Sequence, residues 1–214
     1  MAVLISMQKV FLNGDFIDKD SAKISIFDRG FIFGDGIYEV IPVINSTIVE
    51  KQGFWDRFKR SLNEINLSLP YSTNEFETIL NRLIQINSLQ EGGLYIQITR
   101  GVAQRDFSFV SNITPTVMAF AFSDSVLEHP GAKSGITIIS TPDIRWKRRD
   151  IKSISLLGQC YAKNQATIAG ADECFMVEDG YVTEAGSSSA FIIKDGVLIT
   201  KPLSNEILPG IRRQ

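Results

Sequence analysis

Hydrophobic and polar positions alternate along the first part of the chain, then recur with helical spacing, then alternate again. In KVFLNGDFIDK two short apolar runs flank Asn13-Gly14, and in IYEVIPVINSTIVEK two β-branched runs flank Asn45-Ser46. Both patterns predict hairpins. Pro42 has no backbone N–H to give to a ladder, so it belongs at an edge or a bulge. Phe54, Phe58, Leu62 and Ile65 then fall at i, i+4, i+8, i+11. Phe76, Ile79, Leu80, Leu83 and Ile84 fall at i, i+3, i+4, i+7, i+8. Each set is the apolar stripe of a helix. Pro70 separates the two helices, and Ser72 or Thr73 can cap the second. GLYIQITRG alternates as a strand. TVMAFAFS is almost wholly apolar and is expected to be buried on both faces.

Residues 124–133, polar and containing Pro130-Gly131, predict a linker. A strand is expected in GITIISTP. A helix near 154–169 is expected to pack Leu156, Leu157, Cys160, Tyr161 and Ile168. Three strands are expected in CFMVED, YVTEA and AFIIKDGVLIT. The glycine-rich FDRGFIFGDG reads as irregular. Mixed strands and helices in both halves predict an α+β chain with two lobes and a cleft between them. The lobes are an N-terminal one over 1–123 and a C-terminal one over 134–214, joined by the 124–133 linker.

Composition narrows the function classes. The chain has 214 residues, 44% hydrophobic and 21% charged, an ordinary globular balance. Its net charge of −2 offers no nucleic-acid footprint. The one dense basic run, IRWKRRD, reads as a solvated loop. The N-terminus has no basic stretch before an apolar core, and no apolar run has the length of a membrane span. These features suggest a cytoplasmic protein. Cys160 and Cys174 make no metal motif and read as buried thiols of a reducing compartment. His129 is the only histidine and sits in the loop EHPGA. It is expected to have no catalytic role, which disfavours serine–histidine hydrolysis and histidine-bound metal. Lys, Tyr, Asp, Glu and Cys remain as candidate bases.

Lys152 and Lys163 lie close together. Lys163 falls inside the expected helix, where a solvated lysine is the ordinary case. Lys152 precedes that helix, where a side chain can point into a cleft. A nucleophilic lysine needs desolvation or a neighbouring cation, and Arg145, Lys147, Arg148 and Arg149 are near in sequence. Spacing alone does not make Lys152 catalytic. Glu184 ends YVTE before the small residues AGSSSAF, which suits a polar ligand, though a surface hairpin end reads the same way. Arg57, in FWDRFKRS, is either an anion fork or part of a solvated helix face. Arg100 and Arg105 flank a strand-to-loop junction. LPGIRRQ places Pro-Gly before an expected helix start, where free N–H groups can bind phosphate. A lysine, a carboxylate and several anion sites together suit a phosphorylated, carbonyl-bearing cofactor.

Six segments carry a resemblance: DRGFIFGDGIYEV, DR at 56–57, YIQITRGVAQRDF, DIRWKRRDIKSISLL, GADECFMVEDGYVTEAGSSSAF and DGVLITKPLSNEILPGI. In these residues the chain resembles the fold-type IV pyridoxal-phosphate (PLP) enzymes. That family comprises D-amino acid transaminases, branched-chain aminotransferases and aminodeoxychorismate lyases. The segments run in family order along the chain and are most like the D-amino acid transaminase branch. The resemblance implies that Lys152 forms a Schiff base with pyridoxal 5'-phosphate and shuttles a proton. It implies that Glu184 pairs with the pyridine nitrogen and that Leu208 packs on the ring. Arg57, Ser187, Ser188, Ile211 and Arg212 would then hold the phosphate. Tyr38 and Arg105 would meet the substrate, Arg105 at its carboxylate.

The partners implied are an amino acid such as D-alanine, a 2-oxo acid and a second copy of the chain in a homodimer. No metal, nucleic acid or membrane is implied. Two positions depart from the pattern: Phe107 stands where close relatives carry a histidine, and Arg212 where they carry a phosphate-binding threonine. The family also continues for several tens of residues past this point, so the C-terminal lobe is expected to be incomplete. The alternatives are a branched-chain aminotransferase or aminodeoxychorismate lyase on the same fold, or a non-catalytic PLP-binding fragment.

Overall fold

The computed structural model describes residues 9–213. Residues 1–8 and 214 lie outside the described residues, and with them most of the N-terminal leader reading and the ends of both expected lobes. The chain divides into two compact units, one running to Glu128 and the other starting at His129.

The first unit is built on one sheet. Strand β1 (Lys9–Leu12) pairs with β2 (Asp15–Asp18) across Asn13-Gly14, and both turn residues take positive φ. Strand β3 (Gly36–Ile44) turns through Asn45-Ser46, again at positive φ, into the short β4 (Thr47–Ile48). These are the two hairpins the sequence predicts. β5 (Glu91–Thr99) and β6 (Thr116–Ser123) complete a six-stranded sheet of order β2-β1-β6-β5-β3-β4. Pro42 lies opposite Gly93, and its carbonyl accepts from the Val49 N–H. Its missing donor therefore faces the outer side of β3, where β4 is only two residues long.

A short helix, α1 (Arg29–Phe33), precedes β3, and Asp28 caps it by accepting from the Gly30 N–H at 2.8 Å. Helices α2 (Lys51–Glu64) and α3 (Thr73–Ile86) cover one face of the sheet. Their predicted stripes supply Phe54, Phe58, Leu62, Phe76, Leu80, Leu83 and Ile84 to the core. Ser72 caps α3 in a reciprocal box with Glu75. The expectation for TVMAFAFS is corrected. Val117, Ala119 and Ala121 are buried, whereas Met118, Phe120 and Phe122 are half-buried. Only one face of β6 lies under the helices, so its burial alternates with period two.

The second unit holds α4 (Gly131–Ser134), β7 (Ile138–Pro142), α5 (Leu157–Ile168), β8 (Glu173–Glu178), β9 (Tyr181–Ala185), β10 (Phe191–Lys194) and β11 (Val197–Thr200). β7 runs parallel to β8, and β9 antiparallel to β8. AFIIKDGVLIT is not one strand. Asp195-Gly196 folds it into the β10–β11 hairpin, the Asp-Gly signal of a tight turn. The packing expected of α5 is also corrected. Leu157 is 83% exposed, and Cys160, Tyr161 and Ile168 are exposed as well. The helix buries Ala162 and Ala166 against Cys174 and Met176. Two alanines one turn apart present the flat surface that lets a helix lie close on a strand, so the small residues and not the large ones face inward. Of the two cysteines, only Cys174 is buried.

Phe58 is fully buried in a cluster with Phe54, Trp55 and Phe76. Phe58→Ala is expected to destabilise the protein by about 3–5 kcal/mol in urea unfolding. Leu157→Ala, at an exposed position, is expected to change stability by no more than about 0.5 kcal/mol.

Candidate active site

The β8–β9 hairpin turns at Asp179-Gly180 and carries an irregularity in register between Met176 and Val177. Thr183 is the extra residue of β9, and Glu184 lies opposite Met176. Both are buried. The Thr183 hydroxyl sits 2.6 Å from Asp143 Oδ2 and 3.1 Å from the Met176 carbonyl. Asp143 continues the ladder past β7, its N–H donating to the Val177 carbonyl at 2.8 Å.

From this anchored position Asp143 grips Arg145. Nε donates to Oδ1 at 3.0 Å and Nη2 to Oδ2 at 2.8 Å, a two-pronged pair. The remaining arm, Nη1, donates to Glu184 Oε2 at 2.6 Å. The Leu208 N–H donates to the other oxygen, Oε1, at 3.0 Å. Burial pushes the Glu184 carboxyl above its ordinary range, while its bond and charge contact with Arg145 oppose that rise. Asp143 feels the same burial, but the Arg145 and Thr183 bonds outweigh it and hold its carboxyl low.

The IRWKRRD run is therefore only partly solvated, with Ile144, Trp146 and Lys147 exposed. The side chains of Arg145 and Arg149 are buried, Arg149 donating to Glu178 at 2.5 Å and lying 3.3 Å from Asp143. Lys147 pairs with Glu178, and Arg148 with Asp150 at 3.0 Å. Sequence reasoning offers these four cations to Lys152 and misses Arg145 as the partner of Glu184 and Asp143 as the anchor of Arg145. The available signal is the carboxylates set among the cations, Asp143 two residues before Arg145 and Asp150 directly after Arg149.

Lys152 is half-buried between buried Ile151 and Ser153, in the segment leading into α5. Ser187 and Ser188 occupy an exposed turn closed by the Ala185 N–H, which donates to the Ser188 carbonyl at 2.8 Å. The segment holding Leu208 and Ile211 passes directly beside this turn. A Cβ on Gly210 would stand 2.8 Å from the Ser189 hydroxyl oxygen, so glycine there leaves that hydroxyl its position. Ile211 opens a three-residue 3-10 turn, and Arg212 in it is exposed. The second unit thus gathers Glu184, Leu208, Ser187, Ser188 and Ile211 into one neighbourhood. Its donor set fits a phosphorylated ring: hydroxyls and a close backbone for the phosphate, and a compensated carboxylate for a ring nitrogen.

Tyr38, Arg57 and Arg105 belong to the first unit. Arg57 reaches from α2 to Glu39, a fully buried residue on the helix-covered face of β3. Nε donates at 2.8 Å and Nη2 at 2.6 Å, which fixes the plane of the guanidinium. Tyr38 lies on the opposite sheet face and stacks on Tyr95, their ring centroids 5.6 Å apart. Burial first, and then the Tyr38 hydroxyl, pushes the Tyr95 phenol up to about 12. Arg105 is exposed and lies 5.1 Å from the Phe107 ring centroid and 5.7 Å from that of Phe33. Its loop is fastened by a buried knot in which Arg29 and Arg100 both donate to Asp35. Arg29 also donates to the Asp106 carbonyl at 2.5 Å. Among the described residues no group of His, Cys, Asp and Glu could hold a metal ion, and no helix is long and apolar enough to cross a membrane.

The family model for amino-transferase class IV matches residues 36–214. The chain belongs to the class IV aminotransferase family. It is 44% identical over 209 residues to a D-alanine aminotransferase of Staphylococcus haemolyticus, covering 97% of this chain and 74% of that protein. Among solved structures it resembles the branched-chain amino acid aminotransferase of Escherichia coli. There the TM-score is 0.88 at 21% identity, over 96% of this chain and 71% of that one. A branched-chain amino acid aminotransferase solved with pyridoxamine 5'-phosphate gives a TM-score of 0.86 at 22% identity, over 96% of this chain and 70% of that one. A putative 4-amino-4-deoxychorismate lyase from Legionella pneumophila gives a TM-score of 0.77 at 27% identity, over 91% of this chain and 72% of that one. The mixed α/β fold is that of the fold-type IV aminotransferases, and the activity class is amino-group transfer.

Glu178 anchors Arg149 and Lys147, and their bonds hold its carboxyl down at about 2, against 4.5 for the free group. Its folded pKa is lowered, so its stabilisation is complete above about 4.5 and is lost as pH falls toward about 2. In thermal melts Glu178→Gln is expected to lower Tm at pH 7, and the gap to the wild type is expected to shrink steadily below pH 4.5.

Proposed function

We propose that this chain is a pyridoxal 5'-phosphate-dependent aminotransferase that moves the amino group of a D-amino acid, such as D-alanine, to a 2-oxo acid. The observation that carries the reading is the buried Glu184 carboxylate, compensated by Arg145 and set beside the Ser187–Ser188 turn and the Gly210 approach. The 44% identity to a D-alanine aminotransferase supports the choice of substrate.

Bound pyridoxal phosphate supplies an aldehyde that captures amines and a ring that accepts electrons. Lys152 Nζ would hold that aldehyde, and its amine would move a proton at the substrate Cα. Glu184 keeps a positive ring nitrogen paired. Arg57, Ser187, Ser188, the Ile211 amide and Arg212 bind the phosphate, and Leu208 packs on the ring. Tyr38 and Arg105 orient the substrate, with the Arg105 guanidinium receiving its carboxylate. Phe33 and Phe107 steady that guanidinium through their ring faces.

The working form is a cytoplasmic homodimer. The sheet face with half-buried Tyr38 and Phe120 and exposed Val40, and the exposed Phe31 and Phe107, support a partner copy. Free Cys160 and Cys174 suit a reducing compartment.

Purified protein is expected to absorb in the visible region and to transaminate D-alanine in preference to L-alanine. Lys152→Ala should remove both properties. Arg57→Met should weaken pyridoxal phosphate binding about ten- to hundredfold, the scale of a lost charged hydrogen-bond pair. Full activity in Lys152→Ala, or turnover confined to L-branched amino acids or aminodeoxychorismate, overturns the reading.

A further inference from the structure

We propose that Arg145 is a positioning residue for the reaction, fixing the orientation and the negative charge of Glu184 without touching substrate or cofactor. The inference rests on the reading of Glu184 as the partner of the ring nitrogen.

A carboxylate only 6% exposed is driven toward its neutral form. A neutral glutamic acid cannot hold a positive ring nitrogen. The Arg145 guanidinium is the cation bonded to Glu184, and its side chain is 5% exposed, so solvent screens the pair weakly. Asp143 also acts on Glu184, and its negative charge opposes ionisation. Asp143 is itself neutralised by the two arms of Arg145 and by the Thr183 hydroxyl. Arg145 thus cancels the repulsion of one carboxylate while attracting the other.

Geometry makes the same assignment. Two guanidinium arms are spent on Asp143, which is fixed by the β7–β8 ladder, so the third arm has a single direction. With Oε2 on that arm and Oε1 on the Leu208 N–H, the carboxylate plane is set at both ends. Each oxygen keeps a second lone pair for a ligand donor. The fit also reaches α5. A Cβ on Gly158 would lie 3.0 Å from Arg145 Cγ, so glycine there leaves room for the arginine stem.

The test compares wild type with Arg145→Met, which keeps length and loses charge, and with Arg145→Lys, which keeps charge and loses the fork. In apoprotein carrying carboxyl-labelled glutamate, the Glu184 resonance is assigned with Glu184→Gln and titrated by NMR. In Arg145→Met the Glu184 carboxyl should titrate about one to three pH units higher than in wild type. Arg145→Lys should fall between the two. In the pyridoxal phosphate-loaded protein, kcat for Arg145→Met should drop about tenfold for each pH unit by which Glu184 comes to titrate above the assay pH, with KM for the amino acid little changed.

An unchanged Glu184 titration overturns the proposal, even if Arg145→Met lowers Tm, because a merely structural arginine would produce that pattern. If Arg145→Met does not fold, the Arg145→Lys titration decides alone. If wild type binds no pyridoxal phosphate, the functional reading fails and the positioning role falls with it. The apoprotein titration then still reports separately whether Arg145 sets the charge of Glu184.

Discussion

The second unit depends on keeping one carboxylate ionised out of water. An isolated ion moved into a protein interior costs several kcal/mol after relaxation, and only close, well-aligned partners offset it. Glu184 has such partners in Arg145 and the Leu208 N–H. Each is placed by something more rigid than a side chain. Arg145 is held by Asp143, Asp143 by its backbone bond to Val177, and the Thr183 hydroxyl by the extra residue in β9. The irregularity in β9 is therefore a condition for the site. Without the extra residue, the alternation of side chains along the strand would turn either Thr183 or Glu184 to the other face.

The first unit solves the same problem twice. Glu39 lies on the apolar face of the sheet and takes both named donors of Arg57. Asp35 receives Arg29 and Arg100 together. All three cases use arginine. A guanidinium presents several donors in one plane and stays charged when buried, whereas a buried lysine sheds its proton readily. The division matches the chemistry. The proposed chemistry asks for a lysine amine that can lose a proton, and Lys152 is half-buried in a short loop, while Arg57 and Arg145 sit in two-pronged pairs with Glu39 and Asp143.

Features set by local chemistry are legible in the sequence. Asn13-Gly14, Asn45-Ser46, the Ser72 cap and the stripes of α2 and α3 all follow from contacts a few residues long. The failures share a cause. The exposed Leu157, Tyr161 and Ile168 look like core by composition, and the alternating burial of β6 is invisible in an all-apolar run. In both, the deciding fact is which face another element covers, a fact carried by distant residues. The Arg145–Glu184 pair spans 39 positions, and the Arg57–Glu39 pair 18. No window along the chain sees either pair.

For the same reason local physics ranks Lys152 and Glu184 low, while motif order singles them out. A reactive lysine and a solvated one have the same side chain, as do a ligand-binding glutamate and a hairpin end. What separates them is the field made by surrounding groups, and here those groups come from segments far apart in sequence. Asp143 and Arg145 follow β7, Glu184 is the last residue but one of β9, Leu208 lies beyond β11, and the Gly186–Ser189 turn meets Gly210. Each segment alone has an ordinary reading. Their order along the chain carries the information because the fold needs all of them in one place, and a family motif records that joint requirement. The basic run IRWKRRD illustrates the point. As composition it is a solvated loop, but with Asp143 before it and Asp150 at its end, the side chains of two of its arginines are buried and one sets the charge at the site.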